Sequence, residues 1–442
     1  MSDSKDCATS EPQWAAWAGL DWGDEKHYWK LRDADSQQCQ EGELSNQPEA
    51  IQAWAMELYA QFGGRPTAVC LEQSRGAVVY QLSKYPHLVL YPVHPNTAAL
   101  FRGAFYSSGA KSDQDDSALL LDLLVHHRER LRRLDPDTAE TRQLQMLSEQ
   151  RRMFVDEKTR YSNRLTNWLK NYFPQVLDWI DDIDSPLGCA LLERWPTLEQ
   201  LQRAHPGTLR KFFLEHNCRS KERIQRRMKE IYQATPAVED AALLQAGPAI
   251  VKGLVAVIRA LRSDIEDLEG RIQELVSVHP ETPLFEGLPG VGPVLLPRII
   301  VAFGTKRERY SSADQLEAYS GIAPVTEQSG KMKWVHFRWA CPHFLRQTFH
   351  EFAGHSIAKS VWARAYYEMQ IGKGKGHHAA VRALAFKWIR VLFRCWQAHQ
   401  PYDEKIYLQS LQKHHSTLSQ MLGTRIEWKE VAGFQKLCEE NS

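Results

Sequence analysis

The 442-residue chain is short of the features that announce common function classes. Its eight cysteines, Cys7, Cys39, Cys70, Cys189, Cys218, Cys341, Cys395 and Cys438, include no C-x-x-C pair. That spacing excludes a zinc ribbon and a disulfide framework, so reduced thiols are expected. The N-terminal MSDSKDCATSEPQW is polar, without an apolar signal core, and no later stretch reads as apolar for long enough to span a bilayer. The expectation is a soluble, unexported, cytoplasmic protein with no membrane partner. The G-x-x-x-x-G-K-[ST] spacing is missing, so the glycine-lysine loop IGKGKGHH, with Lys373 and Lys375, does not imply ATP use. No G-x-S-x-G elbow is present, which leaves a hydrolase triad without support. His350-Glu351 and His355 are one residue too widely spaced to share the metal-facing side of a zincin helix. Internal repeats and long low-complexity tracts are also lacking.

Net charge is scarce at +1, but it is unevenly placed. Between Lys331 and Arg394 twelve Lys/Arg face two acids, Glu351 and Glu368, and the same window holds twelve aromatic residues. Cations mixed with π-faces suit a nucleic-acid backbone and its unstacked bases; a helical domain with a basic outer face and an aromatic core gives the same composition. Arg203–Lys229 carries nine basic residues against Glu215 and Glu222, either a phosphate-tracking stripe or a solvated helix face. At this length, with 43% hydrophobic residues, two or three domains with real cores are expected.

WAAWAGLD reads as a strand ending near Asp21, followed by a turn at Gly23–Asp24 and a second strand at His27–Leu31. A helix over 48–62 follows, then a strand closed by Glu72 in TAVCLEQSRG, then an apolar run, His87–Val93. Strands alternating with helices imply an α/β domain whose active groups collect at the carboxyl ends of the strands. In KSDQDD, Asp113 and Asp116 share one face at a helix start. Acids held that close repel unless a cation sits between them, although a solvated helix N-terminus also favours acids. Asp24, Asp115 and Asp122 remain alternatives. From Val251 through Leu254, Ile258, Leu261, Ile265, Leu268 and Ile272 to Leu275 the spacing alternates three and four, a heptad seam. Self-association is the favoured use of that seam, and pairing within the chain is the other. In GLPGVGP, Gly290 and Gly292 bracket a turn suited to gripping a phosphate through backbone N–H groups. Ser329 lies in a polar turn, EQSGK, with Gly330 and Lys331 beside it.

Asp21, Glu72, Asp113 and Asp116 together resemble the D-E-D-D cluster of RuvC-like (RNase H-type) nuclease domains. With Gly19-Leu20-Asp21, the K-[ST]-D-x-x-D-[AS] match at 111–117, Pro289–Gly292, Gly321–Pro324 and a serine before glycine, the chain resembles the DEDD transposases of the insertion sequence 110 group. These are RNA-guided bridge recombinases, kin to Piv-type DNA invertases. It departs from them in Gln73-Ser74-Arg75 after the glutamate and in a longer middle region.

The resemblance implies a multidomain α/β plus α protein: a RuvC-like domain over 1–133, a helical and coiled-coil region over 134–284 contacting RNA or DNA, a mainly helical transposase domain with a helix-hairpin-helix-like loop over 285–400, and a tail over 401–442. It implies DNA strand exchange through a covalent phosphoserine on Ser329, with Mg²⁺ or Mn²⁺ held by Asp21, Glu72, Asp113 and Asp116. Nucleic-acid contacts are expected at Gly290, Gly292, Lys331, Lys333, Arg338, Lys373 and Lys375. The implied partners are donor and target DNA, a noncoding bridge RNA and further copies of the chain. The copies form a dimer or a tetramer in which acids and serine meet across protomers, in a bacterial or archaeal nucleoid-associated setting. Two other readings compete: a metal-dependent nuclease or junction resolvase that activates water, and a non-catalytic nucleic-acid-binding scaffold.

Overall fold

A computed structural model describes residues 13–105 and 112–414, together with 418, 420 and 422. Lys111, and the stretch with Trp428 and Phe434 where the sequence suggests a short packed helix, lie outside the described residues. The chain divides into two compact units, Met1–Pro136 and Asp137–Ser442.

The first unit is built on a five-stranded sheet of order β3-β2-β1-β4-β5. Strands β1 (Ala16–Asp21), β2 (Lys26–Asp33) and β3 (Cys39–Ser45) form an antiparallel meander, and β4 (Thr67–Leu71) and β5 (Leu88–Pro92) run parallel to β1. Helices α1 (Pro48–Gln61), α2 (Ala77–Leu82), α3 (Pro95–Phe105) and α4 (Asp113–His127) complete it. Strand alternation sorts the side chains onto two faces. Ala16, Ala18, Leu20, Val69 and Leu71 pack with Ile51, Trp54 and Leu58 of α1. Ala68, Cys70 and Val89 pack with Leu119, Leu120, Leu123 and Leu124 of α4. Each buried leucine contributes about 1.5–3 kcal/mol.

The second unit starts with the long helix α5 (Ala139–Tyr172). It continues through the short helices α6 (Val176–Trp179), α7 (Pro186–Arg194), α8 (Leu198–Gln202), α9 (Pro206–Glu215) and α10 (Lys221–Gln233) to α11 (Ala241–Val278). The heptad seam lies on α11, and its buried positions Val251, Ile258 and Ile272 pack against the chain's own helices. Val251 and Ile258 share a core with Leu165 and Leu169 of α5, while Ile272 packs with Leu144 at the other end of α5. The two helices therefore run antiparallel, and an Arg151–Glu269 ion pair at 2.5 Å ties them midway. The expectation that no stretch is apolar enough to span a bilayer also needs correction. Between Ala241 and Ile258 the only charge is Lys252, and α11 passes that test by length and composition. Its buried residues Gly247, Val251, Val255 and Ile258 face the rest of this unit.

After α11 come α12 (Thr282–Phe285), α13 (Leu295–Phe303), α14 (Ala313–Tyr319), the hairpin β6 (Val325–Ser329) and β7 (Met332–His336), and α15 (His343–Lys359), α16 (Val361–Gly372), α17 (His377–Ala398) and α18 (Glu404–Lys413). The helical middle and the C-terminal block, separated at 284 on sequence grounds, fold as one unit. Leu144, Ile272 and Val276 belong to the same core as Phe303, Phe349, Trp362 and Trp388. Phe349, Phe352, Trp362 and Trp388 of the basic window are buried core, and Phe344, Tyr366, Tyr367, Phe386 and Phe393 pack half-buried against it; Trp334 and Trp339 remain exposed. The basic stretch before α11 is largely a paired helix face, since Arg223 and Arg227 reach Asp181 and Arg226 reaches Glu230.

Candidate active site

Asp21 closes β1, and Glu72 directly follows β4. Parallel register sets Leu20 beside Leu71, so the next pair along the strands is Asp21 and Glu72. Alternation turns both toward the face covered by α4, opposite the α1 face that holds Leu20 and Leu71. Why α4 can lie there is written in one glycine. A Cβ on Gly19 would stand 2.1 Å from the Ser117 carbonyl oxygen and 2.5 Å from the Leu121 nitrogen. The bare backbone of β1 lets the helix touch the sheet two residues before Asp21, on the same face.

The start of α4 is fixed by Ser112, whose hydroxyl accepts from the Asp115 N–H at 3.1 Å and donates to the Asp115 carboxylate at 2.6 Å. Asp115 is thereby spent on the cap. Asp113 is exposed, whereas Asp116, one turn along, is buried. Asp24 is exposed in the β1–β2 turn, and Asp122 lies further along α4.

The four expected carboxylates thus share one face at one end of the sheet, but they are not drawn into a metal cage. Among the described residues no group of three or more His, Cys, Asp or Glu lies close enough to hold an ion. Asp116 instead accepts from Arg102 of α3, whose side chain is about one-fifth exposed. The sequence reading missed Arg102. A lone arginine fourteen residues upstream carries no local signal; only the fold of α3 against α4 makes it a partner. An oxygen-only donor set suits a hard divalent ion, but the ion and Arg102 would compete for Asp116. Arg102→Ala is therefore expected to lower the thermal midpoint without metal and to enlarge the rise produced by Mn²⁺. A differential scanning fluorimetry series with and without the ion reads both effects.

Ser329 is placed differently from the expected flexible turn: it is the last residue of β6, paired with Met332 across a two-residue loop. Gly330 has φ +57, the backbone that the first loop position of such a hairpin requires. The loop consists of Gly330 and Lys331. Ser329, Lys331, Lys333 and Trp334 are all exposed on this ribbon. Of the other expected contacts, Lys373 and Lys375 are exposed after α16, and Arg338 donates to the Ala323 carbonyl at 3.3 Å. Gly292 is exposed, whereas Gly290 is half-buried with φ +82, and a Cβ there would press on the backbone of His355 at 2.8 Å. A short helix, α12, intervenes between α11 and this loop, so the loop does not join α11 directly to α13.

Behind the hairpin, the G-I-A-P segment is tied down by Glu317. Its carbonyl accepts from the Ile322 and Ala323 N–H groups, and its buried carboxylate accepts from Arg390 at 2.9 Å. Burial pushes the Glu317 carboxyl up to about 7, outweighing the pull of Arg390.

Comparison with known proteins places these features. A family model of DEDD transposases of the IS110 type, described as transposase, matches residues 18–174. A second, described as the transposase IS116/IS110/IS902 family, matches residues 282–368. The mini-circle putative transposase for IS117 of Streptomyces coelicolor is 25% identical over 412 residues, 89% of this chain and 97% of that protein. The IS900 uncharacterized 42 kDa protein of Mycobacterium paratuberculosis is 25% identical over 396 residues, 87% of this chain and 96% of that one. The IS110 uncharacterized 43.6 kDa protein of Streptomyces coelicolor is also 25% identical, over 394 residues covering 88% and 95%. The first match spans the acidic sheet domain and the second spans the loop, the hairpin and Ser329, so the chain belongs to the IS110 family of DEDD insertion-sequence transposases.

Proposed function

We propose that this transposase exchanges DNA strands by serine chemistry supported by its acidic sheet end. The observation that carries the reading is the placement of Asp21 and Glu72 at neighbouring parallel strand ends, on the face where α4 presents Asp113 and Asp116. That disposition supports a RuvC-like domain. The four carboxylates would hold Mg²⁺ or Mn²⁺, which supplies charge neutralisation at a phosphodiester. The Ser329 oxygen attacks phosphorus, its proton passing to solvent water at this exposed position. The bond from phosphorus to the leaving 3′ oxygen breaks, and that oxygen takes up a proton. Because the phosphoserine ester conserves the bond, a 3′-OH on another strand can reverse the step without ATP. Exposed Ser329, with Lys331, Lys333 and Trp334 on the same ribbon, suits a phosphate flanked by an unstacked base.

Base pairing by a noncoding RNA would choose the donor and target sequences, leaving the protein to contact backbone and shape. A homo-oligomer on the DNA would bring serine and carboxylates to one phosphodiester. The test is a denaturing gel of labelled donor DNA incubated with protein, Mg²⁺ and RNA transcribed from the gene's own flanks. A protease-sensitive adduct is expected for the wild type and absent for Ser329→Ala and Asp113→Asn. Cleavage without an adduct, unchanged in Ser329→Ala, would sink serine chemistry in favour of water-activated nuclease action.

A further inference from the structure

A cavity of about 250 Å³ opens between α5, α11 and the start of α13, and neither the four carboxylates nor the serine hairpin contributes a residue to its lining. Its apolar wall is Ile272, Pro293, Val294 and Pro297, and its polar wall includes Ser148, Arg151, Arg152 and Arg298. Each arginine already has a carboxylate. Arg151 meets Glu269, Arg152 meets Asp156 at 2.9 Å, and Arg298 meets Glu351 at 2.5 Å while donating through Nε to Thr348 at 3.0 Å. Glu269 and Gln273 also line the cavity, yet two buried polar groups of its wall remain without a partner. Arg298 is 4% exposed, and its Nη2 is buried with no hydrogen-bond partner. The Ser148 hydroxyl is likewise buried and unpartnered.

A buried guanidinium N–H left without an acceptor is costly. Such a cost persists when something else fills the place. The space far exceeds the roughly 30 Å³ that one water takes in the liquid. A group with several acceptor oxygens on a compact apolar stem answers both walls at once. The carboxylates that now hold Arg151, Arg152 and Arg298 are each a third to a half exposed, so they can turn to water while the guanidiniums stay.

We propose that this cavity is a phosphate site that seats one sugar-phosphate of a nucleic-acid backbone. Phosphate oxygens accept from Arg298 and Ser148, and the sugar lies against Pro293, Val294 and Pro297. It rests on the family's action on nucleic acid but not on the serine chemistry, so the adduct gel and the following test can fail separately.

The test is fluorescence anisotropy of the full chain with a labelled DNA duplex and with a labelled RNA hairpin across a salt series, with inorganic phosphate as competitor. Arg298→Lys keeps the charge and loses Nη2. Gln273→Trp plugs the cavity from an exposed position on α11 and leaves the buried network intact. Both variants are expected to weaken binding of one polymer about tenfold, as for the loss of one charged hydrogen bond. Gln273→Trp, which shuts the phosphate out, should also lower the salt slope by about one, whereas Arg298→Lys keeps the charge and should leave the slope in place. The polymer affected identifies whether the phosphate comes from DNA or RNA. If Arg298→Lys fails to fold, Gln273→Trp alone decides. Unchanged affinity and slope for both polymers overturn the proposal, and so does a wild type that binds inorganic phosphate, measured by calorimetry, without any loss of polymer binding, which would leave a small-anion site.

Discussion

Gly19→Ala is expected to dismantle the first unit. The added methyl has nowhere to go, because the atoms it meets at 2.1 Å and 2.5 Å are main-chain atoms of α4, which cannot rotate aside as a side-chain tip would. Either α4 lifts off β1, exposing Leu119, Leu120, Leu123 and Leu124, or β1 shifts out of register with β4. Overpacking of a core commonly costs about 1–3 kcal/mol, and a rigid obstacle on both sides puts this site at or above the upper end. Denaturation of the full chain followed by circular dichroism should show an early transition for the first unit, with the helical second unit retained. An alanine variant with wild-type stability and wild-type strand exchange would mean that α4 does not rest on Gly19.

Arg390→Met is expected to destabilise the second unit by about 1–3 kcal/mol at pH 8, the scale for leaving a buried polar group without its partner, since Arg390 is half exposed while Glu317 is buried. At pH 5 it should do so far less. The difference comes from Glu317, whose carboxyl is raised from its ordinary 4.5 to about 7. Between those values the folded chain keeps a proton that the unfolded chain has released. The stability this group contributes is fully present below pH 4.5 and is lost as pH rises through about 7. At pH 5 the carboxyl is largely neutral and asks little of Arg390. At pH 8 it is charged, 1% exposed, and held by that guanidinium. Urea unfolding monitored by tryptophan fluorescence at the two pH values reads the difference, and Glu317→Gln should flatten the pH dependence of the wild type. An equal loss at both values would remove Glu317 as the cause.

The sheet end was legible because its signals are local. WAGLD and AVCLE are apolar runs that stop on an acid, and a serine cap three residues before a paired acid marks where α4 begins. The edge strand β3 was not legible: CQEGELS pairs on one side only, is mostly exposed, and needs no apolar alternation. The heptad seam gave its period but not its partner, because a period states how a helix is striped and says nothing of which helix, in which copy, fills the groove. Arg102 against Asp116, and Ser148 with Arg298 around one cavity, are meetings across the fold. No spacing along the chain encodes them.

The ribbon that carries Ser329 has almost no interior. From Val325 to His336 every described side chain except that of Val325 is exposed, Trp334 and Val335 among them. An isolated two-stranded hairpin is marginal in water, so whatever covers Trp334 and Val335 also sets where the hydroxyl of Ser329 stands. Under the serine chemistry proposed above, the same docking would both hold the ribbon and aim its hydroxyl, and a lone chain would carry that hydroxyl unaimed.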